Sequence, residues 1–329
     1  MFYINDRFGA RKVLSDYLGE KDIIIPGEIQ HGYWHTDKWL KHRSTNSILL
    51  KTFLWGGTFA KTISPLNLNK YTSIGDPFLY LSDFRSPPKT KSDDAKWNLY
   101  PEYKQGRSPY EAFASHKQFV LSARSFGLET GMVSFHPNES VSSQVIELYV
   151  TNNFGVLSRN YVGNQEFLSQ KYQEYSAAKG VFTNYLGAHL FRASILGIPA
   201  VLDHEFSLDQ ISLPFREIAK VFFSTKHGSV NEAEQYQVSI CELGLENFRE
   251  RDVLSNLFLT SLGPQTALRV VYFTKEVPIR IGNLLKKPSH VITDLINQSP
   301  QECPHCYRLK PTYQICGLRI CAKCWGRFR

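Results

Sequence analysis

Residues 180–203, GVFTNYLGAHLFRASILGIPAVLD, constrain the fold more than any other part of the chain. Val181 and Phe182 read as a short strand, Thr183 to Gly187 as a polar loop, and Ala188 to Leu196 as a helix with Leu190, Phe191, Ile195 and Leu196 on its apolar side. Gly197 suits the helix end, and Pro199 to Leu202 read as the next strand. A strand, loop, helix and strand within 24 residues make a parallel β-α-β unit. An α/β architecture follows.

Shorter apolar runs occupy residues 1 to 82: DIIIPGEIQHG, NSILLKTFLWGG and SIGDPFLYLSD. Each leaves through a glycine into polar residues, which predicts strand-loop or helix-loop units. In the first, Ile23 to Ile25 read as a strand that delivers Glu28 and His31 into a loop, with Tyr33 and Trp34 beside them. From Arg85 to Tyr110, four prolines and nine charged residues interrupt any periodicity, so a long exposed loop is expected. EAFASHKQFVLSARSFGLETG predicts a helix, MVSFHPNES a strand ending at His136-Pro137, VIELYVTNNFGVLS a second β-rich piece, and FLSQKYQEYSAAKG a helix capped by Gly180. Beyond residue 205 the pattern turns mostly helical, in LPFREIAKVFFS and ENFRERDVLSNLFLTSLG. ALRVVYFT is strand-like there, and PSHVITDLINQSP predicts a last helix.

A chain of 329 residues with 13% aromatics can bury a real core, in two globular units or one large one, and is not a disordered polymer. The boundaries fall at 1–125 for an N-terminal α/β domain, 126–300 for a second, and 301–329 for a small module. That module holds six Lys or Arg against the single acid Glu302, so it carries most of the net charge of +8. Its basic rim suits an anionic membrane surface or a nucleic acid. The first 300 residues are nearly neutral and lack a basic stripe with interleaved aromatics, which argues against nucleic-acid binding as the main function. No window of about 18 apolar residues exists to span a bilayer. MFYINDRFGARKVL lacks the apolar stretch of a signal peptide, so a cytoplasmic protein is expected.

Five of the six cysteines lie in the last 27 residues. Cys303 and Cys306 form one CxxC pair and Cys321 and Cys324 another, with 14 residues between them. A CxxC turn points two thiolates at one ion, and two such turns close a tetrahedral Zn²⁺ site. Cys316 is then a spare thiol, and His305 an alternative ligand to the simpler four-cysteine set. A closed site leaves no open coordination position, so this zinc is expected to fold the tail and not to catalyse.

Two loops are expected at the carboxyl ends of parallel strands, where open α/β sheets bind ligands. One is Ser134 to Ser140, containing His136, Pro137 and Asn138; the other is Thr183 to His189, containing Asn184 and Gly187. The second opens a helix whose free N–H groups suit a phosphate. His204, after the strand Ala200 to Leu202, can line the same cleft, whereas His116 reads as a surface or core residue.

A QHG loop near the N-terminus, a strand ending in HP, and a TNYLG loop opening a helix that finishes in LGIP resemble GT-B glycosyltransferases of bacterial surface-polysaccharide synthesis. The HP element is similar to that of sialyl and Kdo transferases, which use CMP-sugars, and of CDP-glycerol polymer transferases. The resemblance implies two Rossmann-like halves, to which the four-cysteine module is added. It implies transfer of a sugar from a nucleotide-sugar donor, a CMP-sugar for preference, to a glycan or lipid-linked glycan acceptor. His136 is then a donor ligand together with Pro137, Asn138, Ser140, Thr183, Asn184, Gly187 and His189. His31, Glu28 or Asp76 faces the donor as catalytic group, and Tyr33 and Trp34 stack on the acceptor sugar. The chain contains no DxD pair in a loop for a nucleotide-bound Mg²⁺, and adjacent Asp93-Asp94 reads as a solvated pair. The other readings are an epimerase or hydrolase of nucleotide sugars and a zinc-ribbon nucleic-acid-binding protein.

Overall fold

Glycines set the corners of the N-terminal part. Gly9 and Gly19, both left-handed at φ 72° and 73°, bracket helix α1 (Ala10–Leu18), whose Val13, Leu14 and Leu18 are buried. Strand β1 is Gly27–Ile29, so the strand starts at the glycine of the Pro-Gly pair and not at Ile23 to Ile25 as expected. Strand β2 (Lys51–Leu54), helix α2 (Gly57–Ile63) and strand β3 (Tyr71–Ser73) follow. The three strands form a parallel sheet in the order β1-β2-β3. The described residues are 8–21, 23, 25, 27–30, 32–33, 51–63, 71–85, 94–104, 106–136, 139, 141–157, 164–203, 206–224, 230–261, 300–302, 309–315 and 318–321 of this computed structural model.

The segment expected to be one long loop contains strand β4 (Trp97–Tyr100), all four residues of which are buried. Its WNLY sequence is short, but alternation supplies both faces of a sheet. Trp97 and Leu99 join Phe119 and Val120 of helix α3 (Pro109–Ser125) in the main core cluster. Ser108 caps α3 by a capping box with Glu111. Strand β5 (Gly131–Val133) pairs with β4, so two neighbours in the sheet lie on opposite sides of the boundary expected at residue 125.

The β-rich piece expected at VIELYVTNNFGVLS is helix α4 (Ser143–Thr151) followed by strand β6 (Phe154–Val156). Ser142 caps α4 by accepting from the Val145 N–H, and Val145 and Tyr149, one turn apart, are the buried face. An N-cap and i, i+4 burial thus override β-branched propensity. Helix α5 (Phe167–Ser176) ends at Ala177; Gly180, expected as its cap, opens strand β7 (Gly180–Thr183) instead. A Cβ there would lie 2.5 Å from the Trp97 ring, so glycine is required by the neighbouring strand.

Helix α6 (Ala188–Ile195) and strand β8 (Ala200–Asp203) complete the expected β-α-β unit. Helix α7 (Arg216–Val221), strand β9 (Phe223–Ser224), helix α8 (Glu232–Leu243) and helix α9 (Arg251–Ser261) follow. The second sheet is parallel throughout, in the order β6-β5-β4-β7-β8-β9. The chain therefore moves outward from β4 to one edge, returns, and moves outward to the other, which is the doubly wound order. Helices cover both faces, because Asn98 and Tyr100 point away from α3 and meet Glu174 and Tyr175 of α5 and His189 of α6.

Gly244, at the end of α8, fastens the two sheets. A Cβ on it would come within 1.9 Å of the Trp55 carbonyl after β2, and its φ is 70°. Beside it the Asp76 N–H donates to the Leu243 carbonyl at 2.8 Å. Phe2–Asn256 form one compact unit. In the other, Leu257–Arg329, strands β10 (Pro300–Glu302), β11 (Leu309–Ile315) and β12 (Leu318–Cys321) form an antiparallel sheet in that order. The strand-like ALRVVYFT and most of the expected last helix lie outside the described residues. Among the described residues no helix is long and apolar enough to cross a membrane.

Candidate active site

Strand order reverses between β4 and β7, and a crevice opens at the carboxyl ends of strands flanking such a reversal. Here it is a cleft of about 310 Å³. Tyr100, Ser134, His136, Lys171, Tyr185, Gly187, His189 and Arg192 line it from the doubly wound side. Gln30, Gly32, Tyr33, Trp55 and Asp76 line it from the three-stranded side.

Helix α6 points its first turn at this cleft. Gly187 is its N-cap with extended backbone, φ −140°. Glycine is needed there for space, because a Cβ would lie 2.5 Å from the His189 ring and 2.6 Å from the Tyr185 ring. His189 stacks on Tyr100, centroids 4.9 Å apart and planes 20° apart, and tilts against Tyr185 at 4.6 Å. Burial, with the positive charges of Lys171 and Arg192 adding to it, pushes its pKa down to about 3, so the ring is neutral near pH 7. Its Nε2 is buried without a hydrogen-bond partner among the described residues.

Lys171 is the cleft's second buried base. Its Nζ donates to Ser134 Oγ at 2.9 Å and to Glu174 Oε2 at 2.5 Å, and lies 5.2 Å from the centre of the Tyr100 ring. Burial lowers its pKa while Glu174 opposes the shift. An ammonium has three donors, and these two bonds leave it a third. Arg192 is committed elsewhere: Nε and Nη2 donate to the two Asp76 oxygens at 2.7 and 2.9 Å. His136 stacks on Tyr103 at 4.7 Å and 10°, and burial lowers its pKa against the opposing charge of Glu139.

Five of the expected site residues meet here: His136, Gly187, His189, Tyr33 and Asp76. Asp76 is fully buried, and besides Arg192 it accepts from the Phe78 N–H at 3.1 Å, so both of its oxygens are engaged inside the fold. Tyr33 is buried with its hydroxyl donating to Glu242 Oε2 at 2.7 Å and its ring against Phe191. Thr183 and Asn184, expected as phosphate ligands, are used inside the fold. The Thr183 hydroxyl donates to the Tyr100 carbonyl at 2.7 Å, and Asn184 Oδ1 accepts from the Glu102 N–H at 2.7 Å. They stitch the ends of β7 and β4 together and are not among the lining residues. Glu28 is buried on β1, paired with Thr52, and also stands off the lining. His31, Trp34, Pro137, Asn138, Ser140, His204, Cys303, Cys306 and Cys324 lie outside the described residues. Of Cys321, the backbone position at the end of β12 is described.

Lys171 and Arg192 were missed, although the sequence carries a signal for the first. Leu168, Lys171, Tyr172 and Tyr175 occupy one stripe of α5 at helical spacing, which puts a lysine on an apolar face. A charge in that position is either paired or poised for a ligand.

The fold and cleft define a doubly wound α/β protein with a crevice at the strand reversal. No protein-family profile and no curated protein matches the chain. Among solved structures it is similar to the UDP-GlcNAc 2-epimerase from Neisseria meningitidis bound to UDP-GlcNAc, at 12% identity and a TM-score of 0.35 over 64% of this chain and 61% of that one. It is similar to a glycosyltransferase from Rickettsia africae ESF-5 at 11% identity and a TM-score of 0.36, over 71% and 69%. The S. aureus MnaA–UDP structure matches at 11% identity and a TM-score of 0.33, over 73% and 61%. The chain thus spans 61% of the length of the Neisseria protein.

Proposed function

We propose that the chain is a glycosyltransferase that takes a nucleotide sugar into this cleft and transfers the sugar to a surface glycan or lipid-linked glycan. One observation carries the reading: a desolvated lysine, Lys171, and an unpartnered imidazole nitrogen, His189 Nε2, belong to a crevice that also receives the first turn of α6. Backbone N–H groups at a helix start, an ammonium and a neutral imidazole favour the phosphate of a nucleotide, and stabilise it further as it leaves. The acceptor hydroxyl needs a base. His31 is the proposed one, since Gln30 and Gly32 on either side of it line the cleft. Helix and lysine take the place of a metal at the phosphate in this scheme.

A CMP-sugar such as a sialic acid or Kdo is the proposed donor, on the resemblance of the HP loop. In the tail, Cys303, Cys306, Cys321 and Cys324 are the proposed ligands of a structural Zn²⁺. Cys321 ends β12, and Cys303 directly follows the last residue of β10 in the sequence, which supports this reading. The ion would supply a folding constraint for the tail, and the basic residues around it suit an anionic membrane surface.

Calorimetric titration with CMP, CDP, UDP and GDP tests the reading. Micromolar binding of at least one supports it, and binding of none sinks it. Turnover of a nucleotide sugar without any acceptor assigns the cleft to an epimerase or hydrolase. Metal analysis of the purified chain tests the tail.

A further inference from the structure

His116 is buried on α3 at 3% exposure, and both of its ring nitrogens are engaged. Nδ1 lies 2.9 Å from the Tyr149 hydroxyl of α4, and Nε2 lies 2.9 Å from Glu139 Oε1. A carboxylate only accepts, so Nε2 carries the proton of its contact with Glu139, while Nδ1 faces the Tyr149 hydroxyl. Every polar atom of the ring is then satisfied, in the order Tyr149 to His116 to Glu139. The ring stands edge-on to Phe135 and Tyr149, centroids 5.6 and 5.7 Å away, within packing that fixes its orientation.

The far end of this chain reaches the cleft. The Glu139 N–H donates to the His136 carbonyl at 2.9 Å, so the residue that His116 holds is itself bonded to His136. His136 lines the cleft, stacked on Tyr103. The Glu139 charge is also felt by His136 and by Tyr185 across the cleft. A histidine spent on a carboxylate that is itself largely out of solvent serves a fold poorly, since an apolar pair would pack there with less desolvation cost. It serves a loop that must be held at a set position well, because two directional bonds fix what packing alone leaves loose.

We propose that His116 is a positioning residue: through Glu139 it fixes the loop that presents His136 to the anionic part of the cleft's ligand. The proposal rests on the nucleotide reading given above. A glutamine at 116 can bring an amide N–H near the place of Nε2, whereas an asparagine reaches only the place of Nδ1. His116→Asn therefore breaks the link to Glu139 and His116→Gln restores it.

Three readouts separate positioning from mere folding: titration with UDP and CMP, thermal unfolding, and hydrogen exchange of the peptide spanning 134–142. His116→Asn is expected to weaken nucleotide binding about tenfold, the loss of one hydrogen bond to a charged group, and to speed exchange in 134–142. His116→Gln is expected to return both to near the wild-type values, even where its melting temperature stays as low as that of the asparagine variant. Equal binding and exchange in all three proteins overturns the proposal, and so does an equal loss in both variants. If the wild-type protein binds neither nucleotide, the nucleotide reading fails, and the exchange comparison still decides whether His116 fixes the loop.

Discussion

Arg192 and Asp76, 116 positions apart, meet in a two-point ion pair that joins α6 to the turn after β3. Both side chains are almost wholly removed from solvent, Asp76 completely. Removing one partner leaves a buried charge uncompensated, at about 3–5 kcal/mol, whereas replacing both by apolar residues is close to neutral. Arg192→Met is expected to lower the unfolding free energy in urea by that amount, and Arg192→Met with Asp76→Leu to recover most of it. A catalytic Asp76 predicts the opposite pattern, in which Asp76→Asn keeps native stability and loses turnover alone.

Thr183 offers a second contrast between fold and ligand. Its hydroxyl is already donated to the Tyr100 carbonyl. Thr183→Val should cost about 1–3 kcal/mol of stability through a buried carbonyl left unpaired, and leave the nucleotide dissociation constant within about twofold. A tenfold loss of affinity at unchanged stability would return Thr183 to the ligand.

For Lys171 the expectation is reversed. Lys171→Met combined with Glu174→Gln removes the buried pair as a unit, so the fold persists while one charge-assisted contact to phosphate is lost. Calorimetry should show affinity down by about tenfold or more. Unchanged affinity removes Lys171 from the site.

His189 gives a pH signature. Its folded pKa of about 3 lies below the ordinary 6.5, so between those values the unfolded chain binds a proton that the folded one refuses. Its contribution is complete above pH 6.5 and is lost as pH falls toward 3. Unfolding free energy should drop by up to about 1.4 kcal/mol per pH unit in that window, and His189→Phe should flatten the drop. An identical pH profile in that variant contradicts a buried neutral imidazole.

The β-α-β unit was legible because all its signals agreed: apolar strands, a glycine at each loop, and helical spacing between them. Strand β4 was hidden, since WNLY is four residues long and flanked by lysines and prolines that local reading assigns to solvent. What makes it a strand is non-local, namely β5 and β7 pairing on either side. The same limit explains the site. Gly187, His189 and His136 line the crevice, as their places at strand ends suggested, but the sequence could not tell that the Thr183 hydroxyl and the Asn184 amide face the β4 end. Lys171 was readable as a misplaced charge; Arg192 was not, because its helix is buried on every side.

The central place of β4 has a consequence for the chain as it is made. Its partner β5 begins about thirty residues later, but Thr183 of β7 follows Tyr100 by 83 positions. At roughly 5–20 residues per second, β4 waits roughly 4 to 17 s on the ribosome with one row of backbone donors and acceptors unpaired. For that interval the future centre of the sheet is an exposed edge. A nascent or truncated chain stopping short of Thr183 presents it to other copies, and chaperone capture should be strongest there.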